Sequence, residues 1–121
     1  MRVLVVEDEP IIRLGLAIAI EDAGYEVLEA ASADEALVRL QLASDYEVMV
    51  TDVDMPGTMN GIQLAHYVRG RWPQVQILVI SGKVGVTPGE LPPGVSFMSK
   101  PYQEPRLLGM IELLAARGNS V

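Results

Sequence analysis

The sequence predicts an α/β fold in one domain, residues 1–121, built on a doubly wound parallel sheet of five strands. Five short runs rich in Val, Ile and Leu alternate with segments of helical periodicity. The runs are mostly continuous rather than alternating, as is typical of parallel strands covered on both faces. A chain of 121 residues, half of them hydrophobic, matches one ordinary globular domain.

The strands are predicted at residues 3–6, 25–30, 47–51, 76–80 and 95–98. The first run, Val-Leu-Val-Val, sets the pattern for the others, since β-branched residues favour the pleated backbone. Strands that alternate with helices are joined by right-handed crossovers, which bring the carboxyl ends of the strands to one edge of the sheet.

The first helix is predicted to open at Glu9-Pro10, where the missing N–H of proline loses no helical hydrogen bond, and to end before Gly24. An apolar stripe is expected at helical spacing along it. We assign that stripe to Ile11, Leu14, Ile18 and their neighbours.

The second and third helices carry start signals. Ser32 and Glu35 have the spacing of a capping box, and the helix that follows is predicted to run to about Ala43. The third helix is predicted from Asn60 to near Trp72, because Pro73 disfavours helical backbone in the residue before it.

The fourth helix is predicted to be short or irregular. Residues 82–94 contain four glycines and three prolines, both of which disfavour helix interiors. The last helix follows Glu104-Pro105 and carries Leu107, Ile111 and Leu114 before Gly118.

Charge and composition exclude several classes of protein. A net charge of −7 argues against direct nucleic-acid binding, which depends on clusters of Lys and Arg. The absence of cysteine excludes disulfides and thiolate metal sites. No apolar run approaches the roughly 20 residues of a membrane span, and no secretory signal precedes the first strand. We therefore expect a cytoplasmic protein that does not insert into a membrane.

Polar side chains follow four of the predicted strands where each strand ends: Glu7-Asp8, Asp52, Ser81 and Lys100. Ligands of doubly wound sheets bind at this edge, where the strand order reverses. If the first and third strands flank the reversal, three carboxylates meet there. Their repulsion would be relieved by a hard cation, for which Mg²⁺ is the natural candidate.

This set of groups predicts phosphoryl chemistry. Asp52 could act as a nucleophile that forms an aspartyl phosphate. Lys100 and the Ser81 hydroxyl could then donate hydrogen bonds to the phosphoryl oxygens. Taken singly, Ser81 is more often a turn residue and Lys100 a mobile surface residue, so the prediction depends on the whole set.

The chain resembles the receiver domain of bacterial two-component response regulators over essentially its whole length. The resemblance rests on motifs that occur in the family's order. They are Val6-Glu7-Asp8-Glu9, Asp52-Val53-Asp54-Met55-Pro56, Ser81-Gly82, Phe97 and Lys100-Pro101.

The resemblance implies a flavodoxin-like sheet with strand order 2-1-3-4-5. It implies that Asp52 accepts a phosphoryl group from a sensor histidine kinase or a histidine phosphotransfer protein. Mg²⁺ would be bound by Asp8, Asp52 and the backbone carbonyl of Asp54, with Glu7 acting mostly through water. Such a domain is a signalling module rather than an enzyme.

The resemblance also implies a packing switch, in which Ser81 moves toward the phosphoryl group while Phe97 turns inward. The surface of the fourth helix, fifth strand and last helix would then contact a downstream protein. Without a tyrosine hydroxyl, Phe97 can act only sterically; by pattern alone it would be a core residue. Since the fourth helix is weak, we expect an unusual contact surface.

Three further features are the loop after Asp52, Lys83 and His66. The loop from Pro56 to Gly61 is one residue longer than is usual, so phosphoryl lifetime is expected to differ. Lys83 could influence the entry of water or phosphodonor, or be a solvated loop lysine. His66 is interpreted as a helix-surface residue without a sequence partner for metal binding or catalysis.

Two other functions share parts of this pattern. A phosphatase of the haloacid-dehalogenase type also uses Asp-x-Asp, but it places a threonine where this chain has Pro56 and its nucleophile on the first strand. A receiver that acts as a scaffold without phosphorylation is disfavoured because every required group is present. The sequence leaves open whether the receiver stands alone or belongs to a larger protein, and whether it forms a homodimer.

Overall fold

The computed structural model describes residues 2–43, 45–82 and 88–118. The predicted class is confirmed: five parallel strands lie in the order β2-β1-β3-β4-β5. The strands are β1 (Arg2–Val6), β2 (Glu26–Ala30), β3 (Val48–Asp52), β4 (Gln76–Ser81) and β5 (Ser96–Ser99). The helices in the described ranges are α1 (Pro10–Asp22), α2 (Ala33–Leu42), α3 (Gly61–Arg71) and α4 (Glu104–Gly118).

The sheet separates two apolar layers. Alternate strand residues such as Val5 and Val50 pack against α1 and α4, whereas Leu4 and Met49 pack against α2 and α3. Because β1, β3 and β4 are covered on both faces, almost all of their residues are buried. This explains the continuous apolar runs in the sequence.

Capping fixes where two helices begin. The Ser32 hydroxyl accepts the N–H of Glu35 at 3.1 Å, as predicted for α2. Asn60 and Gln63 form a complete capping box at α3, with both side-chain-to-backbone distances at 2.9 Å. Trp72 ends α3 at the predicted place.

The prediction of a short or irregular fourth helix is confirmed in the described part of that region. A single 3-10 turn, Pro88–Glu90, precedes β5. The turn is held to α3 by His66, whose Nε2 lies 2.7 Å from the carbonyl oxygen of Glu90. His66 is exposed as predicted, but it has a backbone partner that the sequence did not indicate.

Two predictions about apolar packing were wrong. The stripe assigned to α1 is the exposed face, with Ile11 86%, Leu14 54% and Ile18 50% exposed; the buried residues are Leu16, Ala17, Ala19 and Ile20. The helix is apolar on nearly every side, so periodicity could not select the buried face. Phe97 is 36% exposed rather than a core residue.

No helix in the described ranges is both long and apolar enough to span a bilayer.

Candidate functional site

The carboxyl ends of β1 and β3 lie side by side, with Val6 opposite Thr51 in the parallel register. The residues that follow these partners therefore leave the sheet together, because neighbouring strands are about 4.8 Å apart. Glu7, Asp8 and Asp52 each place a carboxylate oxygen within 4.8 Å of the others. We call these three residues the acidic cluster.

Asp52 is the last residue of β3 and is held by its own neighbours. Its Oδ1 accepts the N–H of Val53 at 2.9 Å, and the same N–H lies 3.1 Å from the carbonyl oxygen of Ile80 on β4. The Thr51 hydroxyl donates to the carbonyl oxygen of Asp52 at 3.0 Å. The carboxylate therefore has a defined direction at the rim of the sheet.

Glu7 is the most buried member of the acidic cluster, with 1% of its surface exposed. Its Oε2 accepts the N–H of Glu9 at 3.1 Å. Burial raises its pKa from 4.5 to about 7, and the neighbouring Asp8 and Asp52 carboxyl groups add to the rise. The Glu9 N–H and Lys100 oppose it. A carboxyl in this position is partly protonated at neutral pH unless a cation replaces the proton.

Lys100 brings the counter-charge to the cluster. Its Nζ lies 3.5 Å from Oδ1 of Asp52 and 3.7 Å from Oε1 of Glu7. The backbone N–H of Lys100 donates to the carbonyl oxygen of Ser81 at 2.9 Å, so the loop after β5 is tied to the end of β4. The Lys100 side chain therefore belongs to the site, with its ammonium beside two of the carboxylates.

The cluster fits a small divalent cation. Oxygens bound to one octahedral Mg²⁺ at about 2.1 Å lie about 3.0 Å apart at neighbouring positions and about 4.2 Å apart at opposite ones, so carboxylates within 4.8 Å of one another could share the ion by moving closer together. The donors are all hard oxygens, which Mg²⁺ prefers. The pKa of Glu7 is raised because its ionised form is unfavourable in this buried, acidic place, and a bound cation would make that form more favourable.

The loop between β3 and α3 is closed directly over Asp52. The N–H of Gly61 donates to the carbonyl oxygen of Val53 at 2.9 Å. A Cβ on Gly61 would lie 2.0 Å from the carbonyl oxygen of Asp52, so only glycine fits there. Within the loop, Thr58 donates to Oδ1 of Asp34 at 2.8 Å, which joins the loop to the start of α2.

The remaining predicted residues lie at different depths. Ser81 ends β4 fully buried, one position beyond the residue paired with Asp52. Asp54 is exposed in the loop after β3. Phe97 lies on β5 beside a cavity of about 440 Å³, lined also by Ser99, Tyr102, Gln103 and Arg106 among others. Lys83 lies outside the described residues.

Sequence reasoning missed Arg13 and Tyr102. Arg13 donates from Nη1 to the carbonyl oxygen of Glu7 at 2.9 Å. The sequence did hold one indication of its role, because Arg13 is the single charged residue in the apolar stretch from Pro10 to Ile20. Burial raises the pKa of Tyr102, and Glu7, Glu104 and Asp52 raise it further, so the phenol adjoins the negative field of the cluster. Nothing in the sequence separated Tyr102 from an ordinary packing residue.

Comparison with known proteins identifies the family. The receiver domain model of response regulators matches residues 3–112. The response regulator receiver protein CpdR of Brucella abortus is 34% identical over 120 residues, covering 95% of this chain and 98% of that protein. The sensor kinase CckA of the same species is 40% identical over 81 residues, covering 66% of this chain but 8% of the kinase.

A solved structure agrees with these sequence matches. The receiver domain of the hybrid histidine kinase CckA is 33% identical and superposes with a TM-score of 0.80, covering 95% of this chain and 99% of that domain. Together with the strand order 2-1-3-4-5 and the match of the family model over most of its length, this shows that the chain belongs to the response regulator receiver domains of two-component systems.

Proposed function

We propose that this chain is a phosphoacceptor signalling module in which Asp52 accepts a phosphoryl group from a phosphohistidine. The donor would be a sensor histidine kinase or a histidine phosphotransfer protein. The observation that supports this best is the position of Lys100, whose Nζ lies 3.5 Å from Asp52 Oδ1 beside two further carboxylates. A lone acid at a strand end would need neither the lysine nor the other acids.

The reaction is a displacement at phosphorus. A carboxylate oxygen of Asp52 forms the new P–O bond, the P–N bond of the phosphohistidine breaks, and the imidazole nitrogen keeps the electron pair. The Lys100 ammonium and the Ser81 hydroxyl would donate hydrogen bonds to the phosphoryl oxygens, where negative charge lies in the transition state. The Lys100 ammonium already lies beside the attacking carboxylate.

Mg²⁺ would be held by Asp8, Asp52 and the backbone carbonyl of Asp54, with Glu7 contributing mostly through water. When bound, the cation neutralises charge between the carboxylates and the incoming phosphoryl group. The burial of Glu7 supports this assignment, because its ionised form is disfavoured until a positive charge is added.

We propose Ser81 and Phe97 as the switch residues, whose side chains move on phosphorylation. A downstream protein would then bind the surface that this movement changes. Phe97 is exposed here, which is the outward position from which it would turn inward. The surface would consist of β5, α4 and the segment around Pro88–Glu90 that occupies the place of the expected fourth helix.

The direct test is Mg²⁺-dependent labelling by a small phosphodonor such as acetyl phosphate, followed by mass spectrometry. The wild-type chain should gain one phosphoryl group that is lost in alkali, and Asp52→Asn should gain none. Asp22→Asn is the control, since Asp22 ends α1 and is exposed outside the cluster. Unchanged labelling of Asp52→Asn would refute the assignment, and sustained turnover of a phosphomonoester would favour the phosphatase alternative.

A further inference from the structure

Arg13 is the single charged residue in the apolar stretch from Pro10 to Ile20 of α1. A lysine or arginine on a surface helix usually extends into water. The side chain of Arg13 is instead only 20% exposed, because it folds toward the end of β1. Burying most of a guanidinium is unfavourable unless its donors are satisfied, so its partners reveal what it does.

The guanidinium of Arg13 contacts two groups, one at Glu7 just after β1 and one at Glu29 on β2. Nη1 donates to the carbonyl oxygen of Glu7 at 2.9 Å, and Nε donates to Oε1 of Glu29 at 3.1 Å. Because the guanidinium is planar and rigid, the ion pair with Glu29 on β2 fixes the direction of the donor that reaches Glu7.

The carbonyl that Arg13 holds belongs to the peptide joining Glu7 to Asp8. That peptide is planar, so fixing its oxygen fixes the direction in which the chain enters Asp8. On the other side of Glu7, its N–H donates to the carbonyl oxygen of Ala30 at 3.0 Å. Both peptide groups of Glu7 are therefore anchored, and Arg13 supplies the anchor next to Asp8.

We propose that Arg13 is a positioning residue that fixes the Glu7–Asp8 peptide and thereby preorganises the acidic cluster for a divalent cation. This inference rests on the proposed function, because it assumes that the cluster binds Mg²⁺. Residues that orient metal ligands affect metal affinity by about 10- to 100-fold when they are replaced. Loss of the Arg13 donors should accordingly weaken Mg²⁺ binding by about tenfold.

Charge alone predicts the opposite result. Arg13 is a cation close to the place where Mg²⁺ would bind, so removing its charge should strengthen Mg²⁺ binding if only long-range electrostatics mattered. A purely structural role makes a third prediction. If Arg13 only ties α1 to β2 through Glu29, replacing either member of the ion pair should have the same effect.

The experiment is calorimetric titration of Mg²⁺ into the whole chain without a phosphodonor, at about 0.15 M salt to limit long-range electrostatics. The test variant is Arg13→Met, which keeps an apolar stem and removes both donors. Glu29→Gln removes the charge of the ion-pair partner, but the Gln Oε1 can still accept the Arg13 Nε–H, so the donor to Glu7 keeps its direction. Arg39→Ala is the matched control, since Arg39 also donates to a strand carbonyl, that of Glu29 at 2.7 Å.

We expect about tenfold weaker Mg²⁺ binding in Arg13→Met and less than about twofold change in Glu29→Gln and Arg39→Ala. Equal effects in Arg13→Met and Glu29→Gln, or unchanged or tighter binding in Arg13→Met, would overturn the proposal. If Arg13→Met does not fold, the same comparison is made with Arg13→Gln, whose shorter side chain cannot hold both partners. A wild-type chain that binds no Mg²⁺ would instead refute the metal assignment itself.

Discussion

Replacing Glu7 with Gln is expected to stabilise the folded chain at pH 8 and to change its stability little near pH 4.5. Glu7 is 1% exposed, and burial raises its pKa from 4.5 to about 7. The ionised carboxylate is therefore less favourable in the folded state than in the unfolded state. Gln has a similar shape and no charge, so it removes this penalty.

The sign and size follow from the pKa difference. Well below pH 4.5 the carboxyl is protonated in both states, and its ionisation contributes nothing to the pH dependence of unfolding. Between pH 4.5 and about 7 the unfolded chain loses its proton first, so the wild type loses stability as the pH rises. Each pKa unit corresponds to about 1.4 kcal/mol, so the shift from 4.5 to about 7 gives an upper limit of about 3.5 kcal/mol above pH 7.

Urea unfolding of wild type and Glu7→Gln between pH 4.5 and 8, without divalent cations, measures this difference. Glu9→Gln is the matched control, because Glu9 is two residues away and exposed. A difference in unfolding free energy between wild type and Glu7→Gln that stays constant over this pH range would refute the reasoning. Mg²⁺ should stabilise the wild type more at pH 8 than at pH 5, since it competes with the proton on the cluster.

Two further predictions concern the loop over Asp52. Gly61→Ala should destabilise the fold by about 3 kcal/mol or more, because the added Cβ would lie 2.0 Å from the Asp52 carbonyl oxygen. Thermal unfolding measures the effect. The control is Gly70→Ala, which lies in open space on the same helix and should be neutral or stabilising. Equal destabilisation by both substitutions would contradict the clash at Gly61. Thr58→Val should remove the hydrogen bond to Asp34 and destabilise the fold by about 1 kcal/mol. It should also speed hydrogen exchange of the loop amides, and unchanged exchange would show that this bond does not hold the loop against α2.

The strand ends could be predicted from the sequence because a parallel sheet leaves little freedom in how they align. Crossovers between parallel strands bring their carboxyl ends to one edge, and with Val6 paired to Thr51 the polar residues after β1 and β3 meet there. Helix starts at Ser32 and Asn60 were equally accessible, since each is a local hydrogen-bond pattern within four residues.

The packing of α1 could not be predicted in the same way. A helix with apolar residues on nearly every side gives no periodic signal, and only the position of its neighbours decides that Leu16 is buried while Ile11 is exposed. The expectation that Phe97 is a core residue was wrong for a related reason. Its burial depends on what covers the face of β5, and the described part of the segment before β5 contains a 3-10 turn, Pro88–Glu90.

The electrostatics of the site depend on contacts between residues that are distant in sequence. Glu7 and Asp8 are neighbouring acids, yet Glu7 is buried, and burial raises its pKa to about 7. Glu7 enters the interior, where its Oε2 accepts the N–H of Glu9, whereas Asp8 lies half-buried at the rim. The asymmetry of the acidic pair therefore depends on the path that the chain takes after β1, which sequence periodicity does not describe.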